Sequence, residues 1–326
     1  MRPSGITAVT KGLGRQRVDA AIVETMRHDI EFDAEGVMLR GWFYEAEGVD
    51  SPAPCVVMAH GWSATRRIYL DRFAEVFAAA GLAVLLWDNR GFGDSDAAPG
   101  KPRYEIDPWE QVRDYQHAIS YAQNRSEVDA ERIGVWGSSF SGGHAFVVAA
   151  IDQRVKAVCG QAPFVSGRDT YANLARVDNL VVDPRLLTAD RRARADGKPP
   201  MMIPVIGTDP GVLTGIPTPD AHEFFTRAQA DMAPEWHNEV TLRSVELMRG
   251  YEPGLYLPLI TPTPLLMIVA SHDGLTGGNL AASAFATAAE PKQVVFVPGG
   301  HFAAYTGPGF DIASAAARDW FVRHLS

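Results

Sequence analysis

Cysteine is almost missing from this chain, and so is any long apolar run. The two cysteines among 326 residues, Cys55 and Cys159, lie in apolar segments that read as non-adjacent strands. Such strands hold them about 10 Å apart, too far for a disulfide. A reduced, cytoplasmic protein is expected. No stretch reaches the roughly 20 apolar residues of a membrane helix. Residues 1 to 23 carry Lys11, Arg15 and Arg17 but no apolar core of signal-peptide length. Positive charge is scarce too: 30 Lys and Arg face 39 Asp and Glu, a formal net charge of -9. That balance argues against nucleic acid and against an anionic membrane as partners. No His/Cys/Asp cluster has metal-ligand spacing, so no metal is expected. Gly91-Phe-Gly93 lacks the third glycine of a dinucleotide fingerprint, and no cofactor is expected. Internal repeats and low-complexity tracts are absent.

What remains can build a large core. Hydrophobic residues make up 46% of the chain, and its length suits one α/β domain with a sizeable insertion. The central stretch is Arg132 to Phe146. Ile133 to Trp136 reads as a buried strand, Ser139 follows, and His144 to Ile151 reads as a helix. In the frame G-x-S-x-G, Gly137 and Ser139 match and Ser141 stands in for the last glycine. A strand turning sharply into a helix strains its serine and leaves room only for small neighbours two residues away on each side. Ser141 meets that demand. Ser138 is the other candidate nucleophile, but its neighbour two back is Trp136, which so tight a turn excludes.

Residues 1 to 28 are weakly periodic and read as an arm or short helix. Asp29 to Tyr44 alternates about a turn at Ala34 to Gly36, as an antiparallel hairpin does. Buried strands follow at Cys55–Ala59, Ala83–Trp87 and Val155–Cys159, with helices at Asp71–Ala80 and Pro108–Tyr121 between. Residues 164 to 259 break this alternation. They are rich in proline, carry Arg191, Arg192 and Arg194, and are too long for a plain loop, so a mostly helical cap is expected. Alternation resumes with strands at Pro264–Ala270 and Gln293–Val297 and helices at Asn279–Ala289 and Ile312–His324. The expected organisation is an arm (1–28), an α/β core (29–163 and 260–326) and a cap (164–259). The core should hold a mostly parallel sheet covered by helices on both faces, with ligands beyond the carboxyl ends of its strands.

Each chemically interesting residue falls just past such a strand end. Ser139 follows one strand, Asp273 the next after the cap, and His301, behind Gly299 and Gly300, the last. With His60-Gly-Trp62 and Arg90-Gly-Phe-Gly-Asp-Ser95, these residues carry a resemblance over about 30–163 and 260–325. The chain resembles an α/β-hydrolase of the group containing dienelactone-hydrolase-like and X-Pro-peptidase-like serine esterases. The cap lies outside the resemblance.

What it implies can also be argued chemically. A serine hydroxyl is a poor nucleophile at neutral pH, so Ser139 needs the neutral imidazole of His301 to take its proton. Asp273 would fix the imidazole's tautomer and stabilise the imidazolium, completing a catalytic triad. The backbone N–H groups of Phe140 and Trp62 would form the oxyanion hole, each well-aimed donor contributing about 3 kcal/mol. Asp169, past the strand ending near Cys159, is the alternative acid. His272 reads as a polar loop residue, His60 as a support for the oxyanion loop, and Asp88, Arg90 and Asp94 as groups that stabilise their own turn.

In the cap, Trp236, Phe224, Met202 and Tyr251 are candidates for a substrate pocket, although cap aromatics and methionines also build a core of their own. The arginine trio reads as a solvated face that could also attract an anionic carrier such as a phosphopantetheine or CoA tail. The expected activity is hydrolysis of a carboxylic ester or thioester of a small-molecule acyl substrate through an acyl-enzyme on Ser139. Acyl transfer or cyclisation by the same triad, a peptidase, and a ligand-binding module are the alternatives. A homodimer is compatible with the sequence.

Overall fold

The computed structural model describes residues 26–177, 182–209 and 211–326. Nearly all of the arm expected over 1–28 lies outside them. Its last two residues, Arg27 and His28, belong to the first strand. That strand, β1 (Arg27–Asp33), pairs antiparallel with β2 (Met38–Tyr44). Ala34 and Val37 exchange both backbone hydrogen bonds across the turn, and Glu35 (φ 57°) and Gly36 (φ 81°) take the left-handed conformation of tight hairpins.

The chain then alternates: β3 (Ala53–Ala59), α1 (Leu70–Ala78), β4 (Ala83–Trp87), α2 (Pro108–Gln123), β5 (Val128–Ser138), α3 (Phe140–Ile151) and β6 (Val155–Gln161). Between β6 and β9 come α4 (Gly167–Val177), α5 (Pro184–Ala195), α6 (Pro219–Asp231) and α7 (Leu242–Arg249), with a short antiparallel pair, β7 (Met202–Ile203) and β8 (Val240–Thr241), and a 3-10 helix over Pro253–Leu259. The final run is β9 (Leu265–Ala270), α8 (Gly278–Thr287), β10 (Lys292–Val297), a 3-10 helix over His301–Tyr305 and α9 (Gly307–Leu325).

Eight strands form one sheet in the order β1-β2-β4-β3-β5-β6-β9-β10, parallel from β4 onward and antiparallel at β1 and β2. Strand order reverses at β3. The chain leaves β3 toward β4 and returns on its other side as β5, so Ala59 pairs with Gly137 and the loops following these two strands lie together. This is the switch point at which open α/β sheets bind ligands.

The inner strands are buried along their length because helices cover both faces. On one face α1 and α9 meet through Phe73 and Phe310, whose ring centres lie 4.9 Å apart, and Phe77 and Phe321 at 5.8 Å. The other face carries α2 and α3. Cys55 on β3 and Cys159 on β6 are free, buried and separated by β5. Among the described residues, no helix is long and apolar enough to cross a membrane.

Candidate active site

Ser139 occupies the turn from β5 into α3 with φ 55° and ψ -118°, a strained region for a residue with a side chain, costing about 1–3 kcal/mol. Three backbone bonds hold it there. Its N–H donates to the Gln161 carbonyl (2.8 Å), and its own carbonyl accepts from Gly142 (3.0 Å) and Phe164 (2.9 Å). A side chain at Gly137 would collide with the Ser141 carbonyl. Ser141, at the position that departs from the motif, is fully buried and donates its hydroxyl to the His60 carbonyl. Its polarity therefore ties the serine turn to the loop after β3.

His301 opens the 3-10 helix beyond β10, and its Nε2 lies 2.9 Å from Ser139 Oγ. Its Nδ1 lies 2.7 Å from Asp273 Oδ2. Asp273 leaves β9 directly and is buried. Oδ1 accepts from the backbone N–H groups of Leu275 (2.9 Å) and Thr276 (2.8 Å), while Oδ2 also accepts from the Thr276 hydroxyl (2.8 Å). Burial works to raise this carboxyl's pKa, but the His301 charge and the hydrogen bonds from His301 and Thr276 outweigh it, and the group sits below its ordinary value. An ionised Asp273 requires the proton on Nδ1, which leaves the Nε2 lone pair for the serine hydroxyl.

Asp169 stands elsewhere, paired with Arg168 and bonded to Ser166 at the start of α4. His272 is exposed, with its ring Nδ1 2.9 Å from the Ser271 hydroxyl and its backbone N–H donating to the Gly299 carbonyl (2.8 Å).

The loop after β3 is pinned by His60. Its Nε2 accepts from the Asn89 N–H (2.9 Å), so Nδ1 carries the proton and donates to the Gly61 carbonyl (2.9 Å). Burial lowers the His60 pKa, which keeps the ring neutral. Gly61 lies so close to Ser139 that a Cβ there would stand 2.8 Å from the serine Cβ. Among the described residues, neither the backbone N–H of Trp62 nor that of Phe140 has an acceptor within the protein. Behind this loop Asp88 binds the Arg66 guanidinium and backbone and the Asp94 N–H, and Arg90 pairs with Asp114 (2.8 Å).

Two cavities flank Ser139 and share Trp62, Ile216 and Leu275 in their walls. One is bounded by His301, Phe224, Phe225, Phe302 and Tyr305. The other is bounded by Phe140, Phe164, Thr170, Leu174, Met248 and Thr276.

Of the four cap residues expected to line a pocket, only Phe224 borders the cavities at Ser139. Trp236 donates from Nε1 to the Ser63 carbonyl (2.8 Å) and stacks on Phe225, bracing the cap instead. Met202 is held in β7 opposite Thr241. Tyr251 is buried beneath Phe140 and Phe164, its hydroxyl 2.9 Å from His144 Nδ1. Large apolar residues in the cap mostly bury one another, and sequence alone does not separate lining from core. Leu275 and Phe302 could have been found by adjacency to Asp273 and His301.

His144 had no such signal. It lies in the middle of α3 between Tyr251 and Gln111, and burial depresses its pKa to about 3. The arginine trio is partly spoken for: Arg191 pairs with Glu246 and Arg194 with Asp190. Among the described residues no group of His, Cys, Asp and Glu could hold a metal ion.

The sequence profile of the serine aminopeptidase S33 family matches residues 50–301. A quorum-quenching protein of Acinetobacter baumannii is 31% identical over 87% of this chain and 90% of its own length. A thiohydrolase of Aspergillus aculeatus is 29% identical over 82% and 84%, and a polyketide transferase of Stachybotrys chlorohalonatus 31% over 86% and 92%. The crystal structure of an α/β hydrolase from Penicillium superposes with a TM-score of 0.77 at 25% identity, covering 92% of this chain and 99% of that one. The superfamily expected from the motifs is the one found, and the family matched within it is the S33 one rather than the dienelactone-hydrolase and X-Pro-peptidase group. The chain belongs to the serine aminopeptidase S33 family of α/β hydrolases.

Proposed function

We propose that this protein is a serine hydrolase that cleaves a carboxylic ester or thioester of a small acyl substrate through an acyl-enzyme on Ser139. The observation that carries this reading is the unbroken series Ser139 Oγ, His301 Nε2, His301 Nδ1, Asp273 Oδ2, with contacts of 2.9 and 2.7 Å. His301 takes the hydroxyl proton as Ser139 attacks the acyl carbon, and Asp273 stabilises the imidazolium. The N–H groups of Trp62 and Phe140, free of internal acceptors, receive the oxyanion. His301 then protonates the leaving alcohol or thiol, and water attacking by the same route releases the acid. A relative named thiohydrolase supports including thioesters.

Acyl transfer is the second reading, supported by the relatives named polyketide transferase and by two cavities meeting at Ser139, one of which can keep an acceptor beside His301. A peptidase has less behind it. An aminopeptidase needs a carboxylate for the substrate amine, and among the described residues none lines either cavity. A fluorophosphonate probe should label the protein, and Ser139→Ala should abolish labelling together with hydrolysis of p-nitrophenyl esters and acyl thioesters. Undiminished labelling of that variant would place the nucleophile elsewhere. Running the substrates with added alcohols separates hydrolysis from transfer.

A further inference from the structure

The two cavities differ in one chemical respect. His301 borders only the first, while Phe140, Phe164, Leu174 and Met248 make the second almost wholly apolar. A histidine that protonates the leaving group must face it, so the leaving group or acceptor belongs in the first cavity and the acyl chain in the second.

Within that second cavity stands Thr170 of α4. It is 3% exposed, and among the described residues its Oγ1 has no hydrogen-bond partner. Of the other two hydroxyls in the wall, Ser139 lies against His301 Nε2 and Thr276 is committed to Asp273 Oδ2 at 2.8 Å. Among the described residues the indole N–H of Trp62 also lacks a partner, but Trp62 borders both cavities and so distinguishes neither. A buried hydroxyl without a partner is costly in an apolar wall, and a plain alkyl chain would leave it unpaired.

We infer that the cavity walled by Phe164, Leu174 and Met248 binds the acyl chain, and that Thr170 selects chains bearing a hydroxyl or keto oxygen over plain alkyl chains. The inference rests on the hydrolase reading for which cavity holds the acyl group. The threonine hydroxyl donates to a keto oxygen and either donates to or accepts from a hydroxyl. Sites built to pair a substrate oxygen reject analogues lacking it more strongly than apolar walls reject an added one. The preference should therefore reach about tenfold or more.

A binding measurement tests this without turnover. Calorimetry on Ser139→Ala compares octanoic acid with octanoic acids carrying one hydroxyl or keto oxygen at the third, fifth or seventh carbon. At least one oxygenated acid should bind about tenfold tighter than the plain one. Adding Thr170→Val, which keeps the shape and removes the hydroxyl, should erase that ratio, and Thr170→Ser should keep it. Equal binding of all the acids, or a preference that survives Thr170→Val, overturns the inference. Thermal melts of each variant show that it is folded. The hydrolase reading is checked separately, by loss of octanoyl thioester cleavage in Ser139→Ala relative to wild type. Either idea can thus fail while the other stands.

Discussion

Asp273→Asn is the most informative single change. The carboxylate accepts four hydrogen bonds: Oδ1 from the backbone of Leu275 and Thr276, Oδ2 from the Thr276 hydroxyl and His301 Nδ1. Asparagine supplies only one acceptor oxygen. If that oxygen keeps the two backbone donors, the amide NH2 faces His301, whose Nδ1 must then accept. The ring proton moves to Nε2, directed at Ser139 Oγ 2.9 Å away, and the base no longer has a lone pair for the serine. The opposite rotamer keeps the tautomer but sets two amide donors against two backbone donors, costing about 1–3 kcal/mol for each unsatisfied group. The first arrangement should therefore win. A wrong tautomer in this role costs about 10⁴-fold in kcat, or about 5.4 kcal/mol of transition-state stabilisation. The assay is p-nitrophenyl ester turnover, together with the rate of fluorophosphonate labelling, which should slow in parallel, and a melting curve to confirm folding. A folded asparagine variant within about tenfold of wild type in both rates would refute the argument.

Gly61→Ala places a methyl 2.8 Å from Ser139 Cβ and 3.0 Å from the Ser138 carbonyl. A displacement on the order of 1 Å costs about 10²-fold, so kcat should drop by about that factor, and unchanged turnover would show that the loop and the serine need not be so close. His144 gives a pH prediction. Its pKa is held down near 3 in the fold, so as pH falls below the ordinary histidine value of about 6.5 the unfolded state binds a proton that the folded state does not, and stability declines. His144→Gln should make stability between pH 6 and 4 less steep by about 1.4 kcal/mol per pH unit, measured by urea titration; parallel wild-type and variant profiles would contradict it. The same linkage runs through Asp273, whose lowered pKa contributes stability above the unfolded value of about 3.9 that is lost as pH falls through the folded one. Melting of Asp273→Asn should accordingly respond less to acid than wild type between pH 4 and 2.

The sheet was legible because its signals are local. Strands such as Cys55–Ala59 are continuous apolar runs that only a doubly covered sheet produces, and Glu35-Gly36 announces its hairpin through backbone conformation. The segment between β6 and β9 was harder. It is rich in proline, yet Pro184 and Pro219 stand at helix starts, where a missing N–H costs nothing. Its helices are short and bury their apolar residues against several neighbours at once, which blurs periodicity.

The order of residues alone set which three side chains leave the carboxyl ends of β5, β9 and β10, since strand, turn and helix propensities act over a few positions. Whether their atoms meet was left to the sheet. Its strand order puts β5 and β9 on either side of β6 and draws the last loop back over Ser139. Which cap residues face the substrate was likewise a tertiary outcome. Phe224 and Trp236 have the same kind of side chain, and only the docking of α6 and the segment after it on the core sends one to the cavity and the other to the Ser63 carbonyl. Contacts between distant segments depend on how whole elements dock, and that is not written in any short stretch of chain.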